Sequence, residues 1–208
     1  ASAVTLSNST SLDTSANSSN ITFASTINGN NSLEINVGTA GNLLISGAVG
    51  STARIGALTI DNASNVTAQN ITAASITQSA GTGTTILGSL NTSAVGGVSL
   101  TGTNFTIAGN LITAALGPVA IVNTGVLTLT PGASTSIAGT FTQSGGGSTS
   151  LAGTLVTANT NIVFTNPVTL SGGAAVSSGS GAGNITFSST VNGAQNLTLT
   201  GGAGNVLF

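Results

Sequence analysis

Apolar and polar residues alternate along this chain in short bursts. Val4-Thr5-Leu6, Ile21-Thr22-Phe23, Leu33-Glu34-Ile35, Ile76-Thr77 and Val98-Ser99-Leu100 are typical, and Ile185-Thr186-Phe187 and Leu197-Thr198-Leu199 extend the series. Alternation with a period of two is the mark of a half-buried strand. Asn-Gly, Gly-Gly, Ser-Gly and Ala-Gly pairs between the bursts mark turns. No stretch keeps the i, i+3, i+4 spacing of a helix, and glycine and β-branched residues penalise helix throughout. The pattern predicts an all-β chain of many very short strands, with Ile71-Thr72 and Ile76-Thr77 as two separate ones.

One phrase occurs twice. Asn20-Ile21-Thr22-Phe23 through Asn28-Gly29 returns as Asn184-Ile185-Thr186-Phe187 through Asn192-Gly193, 184 − 20 = 164 residues on. Val4-Thr5-Leu6-Ser7 matches Val168-Thr169-Leu170-Ser171, and Leu33-Glu34-Ile35 matches Leu197-Thr198-Leu199. After a one-residue slip, Gly41-Asn42-Leu43-Leu44-Ile45 matches Gly204-Asn205-Val206-Leu207-Phe208. Nothing divides the chain, so 1–208 reads as one continuous unit, with one long repeat over 1–164 and the start of the next over 165–208. A fainter repeat relates Ser75-Ile76-Thr77-Gln78 to Thr140-Phe141-Thr142-Gln143, 143 − 78 = 65 residues apart.

Repeats whose single copies cannot bury a core alone predict a solenoid. The bursts are also shorter than the roughly five to six residues usual in sandwich strands. The expected fold is a right-handed parallel β-helix, because right-handed crossovers dominate parallel connections. At about 20–25 residues per turn it would make about eight to ten coils at strand spacing. The inward residues would be Ile21 and Phe23, Leu33 and Ile35, Leu58 and Ile60, Val98 and Leu100, Phe105 and Ile107, and Leu127 and Leu129. Ile185 and Phe187, and Leu197 and Leu199, complete the set. Pro118, Pro131 and Pro167 stand at the mouths of apolar segments, where they break no ladder.

Composition sharpens this reading. Charged residues make up 2% of the chain, against about 25% in ordinary domains. Only Arg54, Asp13, Glu34 and Asp61 carry charge, and His, Cys, Met, Trp and Tyr are absent. Such a neutral, β-prone chain, with mean hydropathy +0.47, would aggregate if left unfolded, which argues against disorder. In stacked coils a charge would face a like neighbour about 4.8 Å away, so scarcity of charge suits a solenoid. No run approaches the ~18 apolar residues of a spanning helix, so no membrane insertion is expected. The first residues lack the basic-then-apolar layout of a signal peptide.

The phrases Gly183-Asn184-Ile185-Thr186-Phe187, Asn196-Leu197-Thr198-Leu199-Thr200-Gly201-Gly202 and Gly56-Ala57-Leu58-Thr59-Ile60 resemble the repeats of filamentous-haemagglutinin-like and autotransporter-type bacterial surface exoproteins. The resemblance runs along the whole chain and implies a bacterial, secreted or surface-tethered extracellular β-solenoid. The family's amino-terminal Asn-Pro-Asn motifs are absent, which implies a middle piece of the stalk.

Candidate chemistry is sparse. Catalytic, cofactor-binding and metal-binding residues are all read as none. Without His or Cys no Ser-His-Asp or Cys-His arrangement exists, and the repeat replaces Glu34 by Thr198 and Asp13 by Ser177. Two aspartates cannot build a calcium cage, and Arg54 alone makes no nucleic-acid surface. Arg54 and Asp61 are expected to form at most an exposed pair. Sequons at Asn20, Asn62, Asn65, Asn70 and Asn104 follow from composition alone. Thr128 with Thr130 and Thr198 with Thr200 suggest a Thr-x-Thr array, but their spacing along the chain looks too irregular for one flat face. The expected function is a non-catalytic stalk or filament in adhesion, biofilm or envelope coating. Its partners would be further copies of the repeat at both ends, laterally packed fibres and host or matrix glycans. The alternative is a lateral-face module that binds glycan or ice.

Overall fold

Strands this short gain little from a single neighbour, so away from the ends of the rod each pairs with a strand one turn before it and another one turn after. The computed structural model of the chain describes residues 1–129 and 135–208, so Thr130 and Pro131 lie outside the described residues. The strands form three parallel ladders, and the chain visits them in a fixed order. Face A carries Val4–Thr5, Ile27–Asn28, Val49, Leu90–Thr92, Leu111–Thr113 and Thr135–Ser136 among its members. Face B carries Thr10–Asp13, Leu33–Asn36, Val98–Gly102, Val119–Asn123, Phe141–Ser144, Ile162–Phe164, Ile185–Phe187 and Val206–Leu207. Face C carries Ile21–Phe23, Leu43–Ile45, Val66–Ala68, Thr84–Leu87, Asn104–Ile107, Val126–Leu129 and Val191–Asn192. The result is a β-solenoid of about nine turns, a three-sided rod about 43 Å long at strand spacing.

Coil length varies while register does not. Leu33 pairs with Leu58, 25 residues on, and Leu58 with Ile76, 18 on. The difference is taken up at the corners, so inward positions still stack. Four strands are longer than expected and bend around a corner. Ile55–Asn62 and Ile71–Gln78 join faces A and B, and Ser148–Val156 and Val168–Ser177 join faces C and A. Ile71-Thr72 and Ile76-Thr77 are therefore one continuous strand, because Ala73-Ala74-Ser75 turns the corner with small side chains while pairing with Ile55–Asn62 continues on one side.

One apolar cluster runs through the rod from Leu6 to Phe187. Leu33, Ile35, Leu58, Ile60, Val98, Leu100, Phe105, Ile107, Leu127, Leu129, Ile185 and Phe187 are buried in it. Ile21, Phe23, Leu197 and Leu199 point the same way but are only partly covered, since they lie in the coils at either end. On face B the rings of Phe141, Phe164, Phe187 and Phe208 follow one another with centroids 5.2, 5.2 and 5.3 Å apart. Phe164, Phe187 and Phe208 are stacked one per coil, at a spacing slightly above the strand repeat of ~4.8 Å, while the Phe141 ring is tilted by 48° to that of Phe164.

The two sequence repeats differ in phase. Ile76 and Phe141 both lie on face B, three pairings apart through Val98 and Val119. The 65-residue repeat is thus three whole turns. The 164-residue repeat is not a whole number of turns. Ile21–Phe23 lies on face C, whereas its copy Ile185–Phe187 lies on face B. Val4 moves from face A to Val168 on face C, and Leu33 from face B to Leu197 on face A. The copy keeps its inward–outward parity and shifts back by one face, or seven and two-thirds turns.

Candidate functional site

Polar side chains at the corners bond to the next coil. Asparagines just before strands supply the most regular series. The Asn20 Oδ1 accepts the backbone N–H of Asn42 at 2.8 Å, and the Asn42 Oδ1 accepts that of Asn65 at 3.2 Å. The Asn65 Oδ1 then accepts the N–H of Thr84 at 2.9 Å. A second series runs up to face B, where Asn161 accepts from Asn184 at 2.9 Å and Asn184 from Asn205 at 2.8 Å. The step from Asn20 to Asn42 is therefore reproduced by its copy from Asn184 to Asn205 on another face. A carboxamide suits this place because its oxygen takes a corner N–H that the ladder leaves open, while its NH₂ remains available to a neighbour.

The sequon asparagines belong to this scheme. Asn20, Asn65, Asn70 and Asn104 all accept backbone N–H groups of the following coil, the last two from Ser89 at 2.9 Å and Val126 at 2.8 Å. Asn62 differs, because its Oδ1 is buried with no hydrogen-bond partner.

A polar network also sits inside the core. Gln78, Asn123 and Gln143 are buried on face B at inward positions. The Gln143 Nε2 donates to Asn123 Oδ1 at 2.7 Å and to the Gly147 carbonyl at 2.9 Å. Asn123 Nδ2 donates in turn to the carbonyls of Gly125 at 2.8 Å and Ser148 at 3.0 Å. Gln78 Oε1 accepts from the Thr85 hydroxyl at 3.0 Å. These amides hold the corner between faces B and C where the chain turns without a strand.

Arg54 departs from the expected surface pair with Asp61. It is half-buried at the corner between faces A and B, and its guanidinium reaches two coils on. It donates to the Ala73 carbonyl at 2.7 Å, the Asn91 carbonyl at 2.9 Å and Asn91 Oδ1 at 2.9 Å. No ion pair forms among the described residues. Asp61 stands instead at a register shift, since Ile35 pairs with Ile60 but Asn36 with Asn62. The rigid five-donor fork of arginine makes this clamp, which a lysine could not reproduce.

The other carboxylates lie outward on face B. Asp13 accepts the Ser15 N–H at 2.7 Å, and bonds from the Ser15 side chain and backbone hold its carboxyl below the ordinary 3.8. Glu34 accepts the Ser11 hydroxyl at 3.4 Å and lines a shallow hollow of about 190 Å³ with Ser9, Ser32 and Thr59. The hollow holds one carboxylate among hydroxyls, which does not make the acid–base pair that glycoside hydrolysis uses.

Outward positions form continuous columns. On face C the order is Thr22, Leu44, Thr67, Ile86, Thr106, Thr128, Ser150 and Thr169, each in register with the next. The irregular spacing of these residues along the sequence is thus corrected in space, because the corners take up the differences. Thr198 and Thr200 are exposed on face A near the end of the chain. Comparison with protein-family models, curated proteins and solved structures finds no match.

Proposed function

We propose that this chain is a rigid, non-catalytic stalk or filament segment of an extracellular bacterial surface protein. The observation that carries the reading is the use of its polar groups. Asn, Gln and Arg54 side chains bond to neighbouring coils, and among the described residues they converge on no cleft. A rod so built transmits length and stiffness. The likeness of its Gly-Asn-Ile-Thr-Phe and Asn-Leu-Thr-Leu-Thr-Gly-Gly phrases to filamentous-haemagglutinin-like and autotransporter-type repeats supports the adhesive, surface-exposed setting.

Both ends present strands paired on one side only, and Phe208 at 78% exposure leaves one ring face of the phenylalanine stack open. Open edges of this kind recruit further strands. The partners proposed for them are additional coils of the same repeat, in the same chain or in another subunit. Electron microscopy and fibre diffraction of the purified segment test the reading. Thin fibres with an axial spacing of about 4.8 Å are expected, and a population of short, inert monomers at high concentration would remove its basis.

The face C column supports a second reading, a lateral surface for glycan or ice. Four successive hydroxyls, from Thr106 through Thr128 and Ser150 to Thr169, repeat at strand spacing. Glycan-array binding or ice-recrystallisation activity lost in Thr106→Val and Thr128→Val would favour it over the stalk alone.

A further inference from the structure

Two loops carry the most exposed large apolar side chains away from the chain ends. Ser93–Gly97 and Ala114–Pro118 join faces A and B in successive coils. Their flanking strands are in register at 21 residues, Leu90 with Leu111 and Val98 with Val119. Val95, 72% exposed, and Leu116, 75% exposed, therefore project from one corner a single coil apart.

Leu116 is held there against its own preference. Ala115 and Leu116 have φ +50° and +62°, in a turn closed by the Gly117 N–H bonding to the Ala114 carbonyl at 2.8 Å. Consecutive positive φ values belong to turns that ordinarily take Asn-Gly or Gly-Gly. A leucine in such a turn, strained and facing water, gains nothing within the folded chain. Strain kept at one place points to a contact made elsewhere.

A receiving site lies at the other edge of face B. Gly81, Thr82, Thr101, Gly102, Thr103 and Val122 line a groove of about 230 Å³ at the corner between faces B and C. Two of its three walls end the strands Val98–Gly102 and Val119–Asn123, the same strands that the projecting loops begin. Knob and groove therefore lie at one height on the rod. Two of the lining residues are glycines, and a Cβ on Gly102 would meet the buried Phe105 ring at 3.1 Å and the Gly81 carbonyl oxygen at 3.2 Å. The groove lining is uncharged, and the one cation near the knob corner, the Arg54 guanidinium, is tied up by the Ala73 and Asn91 carbonyls and Asn91 Oδ1.

We infer that Leu116, with Val95 beside it, docks into the Gly81–Gly102–Val122 groove of a second copy of this chain lying alongside. The pairing is heterologous, a knob on one corner meeting a groove on another, so each rod can accept a further rod. Side-by-side bundling follows, with the rods held at one height. The proposal rests on the stalk reading and specifies how such stalks adhere laterally.

The chain lacks cysteine, which makes a cross-linking test clean. Leu116→Cys and Val122→Cys are purified separately and then oxidised alone and mixed. A disulfide-linked dimer is expected in the mixture and in neither variant alone. No dimer in the mixture, or equal dimer from Leu116→Cys alone, would overturn the proposal. Leu116→Gly provides a variant that folds, because glycine relieves the positive φ. It should raise the thermal midpoint while weakening lateral association about tenfold or more, measured by sedimentation. Association unchanged in Leu116→Gly would also overturn it. Fibre length seen by microscopy reports the stalk reading separately, since end-to-end growth does not involve this corner.

Discussion

A Cβ placed on Gly29 would stand 2.6 Å from the carbonyl oxygen of Leu6, and one on Gly193 would stand 2.7 Å from that of Leu170. The backbone is left-handed at both glycines, with φ +121° and +124°. Both members of each pair differ by 164 in number, so a corner has been copied intact onto a different pair of faces. Gly193→Ala is expected to cost about 1–3 kcal/mol, from strain and backbone collision together. Gly173→Ala, where the added methyl meets nothing within 4 Å, should stay within about 0.5 kcal/mol of the parent. Equal denaturant midpoints for the two variants would refute this account of the corner.

The phenylalanine stack offers a graded test. Phe164 lies between Phe141 and Phe187 and is fully buried, whereas Phe208 caps the row in solvent. Phe164→Ala should lose about 3–5 kcal/mol through transfer and cavity terms, and Phe208→Ala less than about 0.5 kcal/mol. Thermal unfolding of the two variants decides the matter, and a large loss in Phe208→Ala would contradict the assignment.

Gln143 and Asn123 are expected to act as a unit. Gln143→Leu leaves Asn123 Oδ1 and the Gly147 carbonyl without their donor, at a cost of about 1–3 kcal/mol. Asn123→Leu should cost a similar amount, and the double variant clearly less than the sum. A coupling energy of at least about 0.5 kcal/mol is expected from the cycle. Simple additivity would show that the network does not hold the corner together.

Stability should depend little on pH. There is no histidine, and Asp13 is the carboxylate whose folded form holds its proton less tightly than the unfolded chain does. Its contribution is complete above the unfolded carboxylate value near 3.9 and fades as pH falls through the lower folded value. The thermal midpoint should be level from about pH 5 to 8, with a small decline only below about pH 4. Asp13→Asn should flatten that decline, and a marked transition near pH 6 would contradict the expectation.

Much of the interior was legible from alternation alone. The burst Phe105-Thr106-Ile107 points two side chains inward because consecutive residues in a strand face opposite ways. The same rule, applied without regard to polarity, would have found the buried amides. Gln143 follows Phe141 by two positions and Asn123 follows Ile121 by two, so parity places both inward. Their polarity concealed them. The asparagine series was likewise visible as Asn20, Asn42, Asn184 and Asn205 before apolar bursts, although its partners were not. Arg54 could not be read in this way, since its acceptors at Ala73 and Asn91 come close only one and two turns further along the solenoid.

By itself the sequence determines an all-β chain, the inward parity of its bursts, and repeats of 65 and 164 residues. These are local properties, set by neighbours one or two positions away or by direct comparison of phrases. Tertiary structure decides which face each burst occupies, because that depends on the summed length of every corner before it. It brings the 65-residue repeat back onto one face and carries the 164-residue repeat one face back. It also aligns the face C hydroxyls and sets Leu116 level with the Val122 groove, since stacking fixes height by counting coils and not residues.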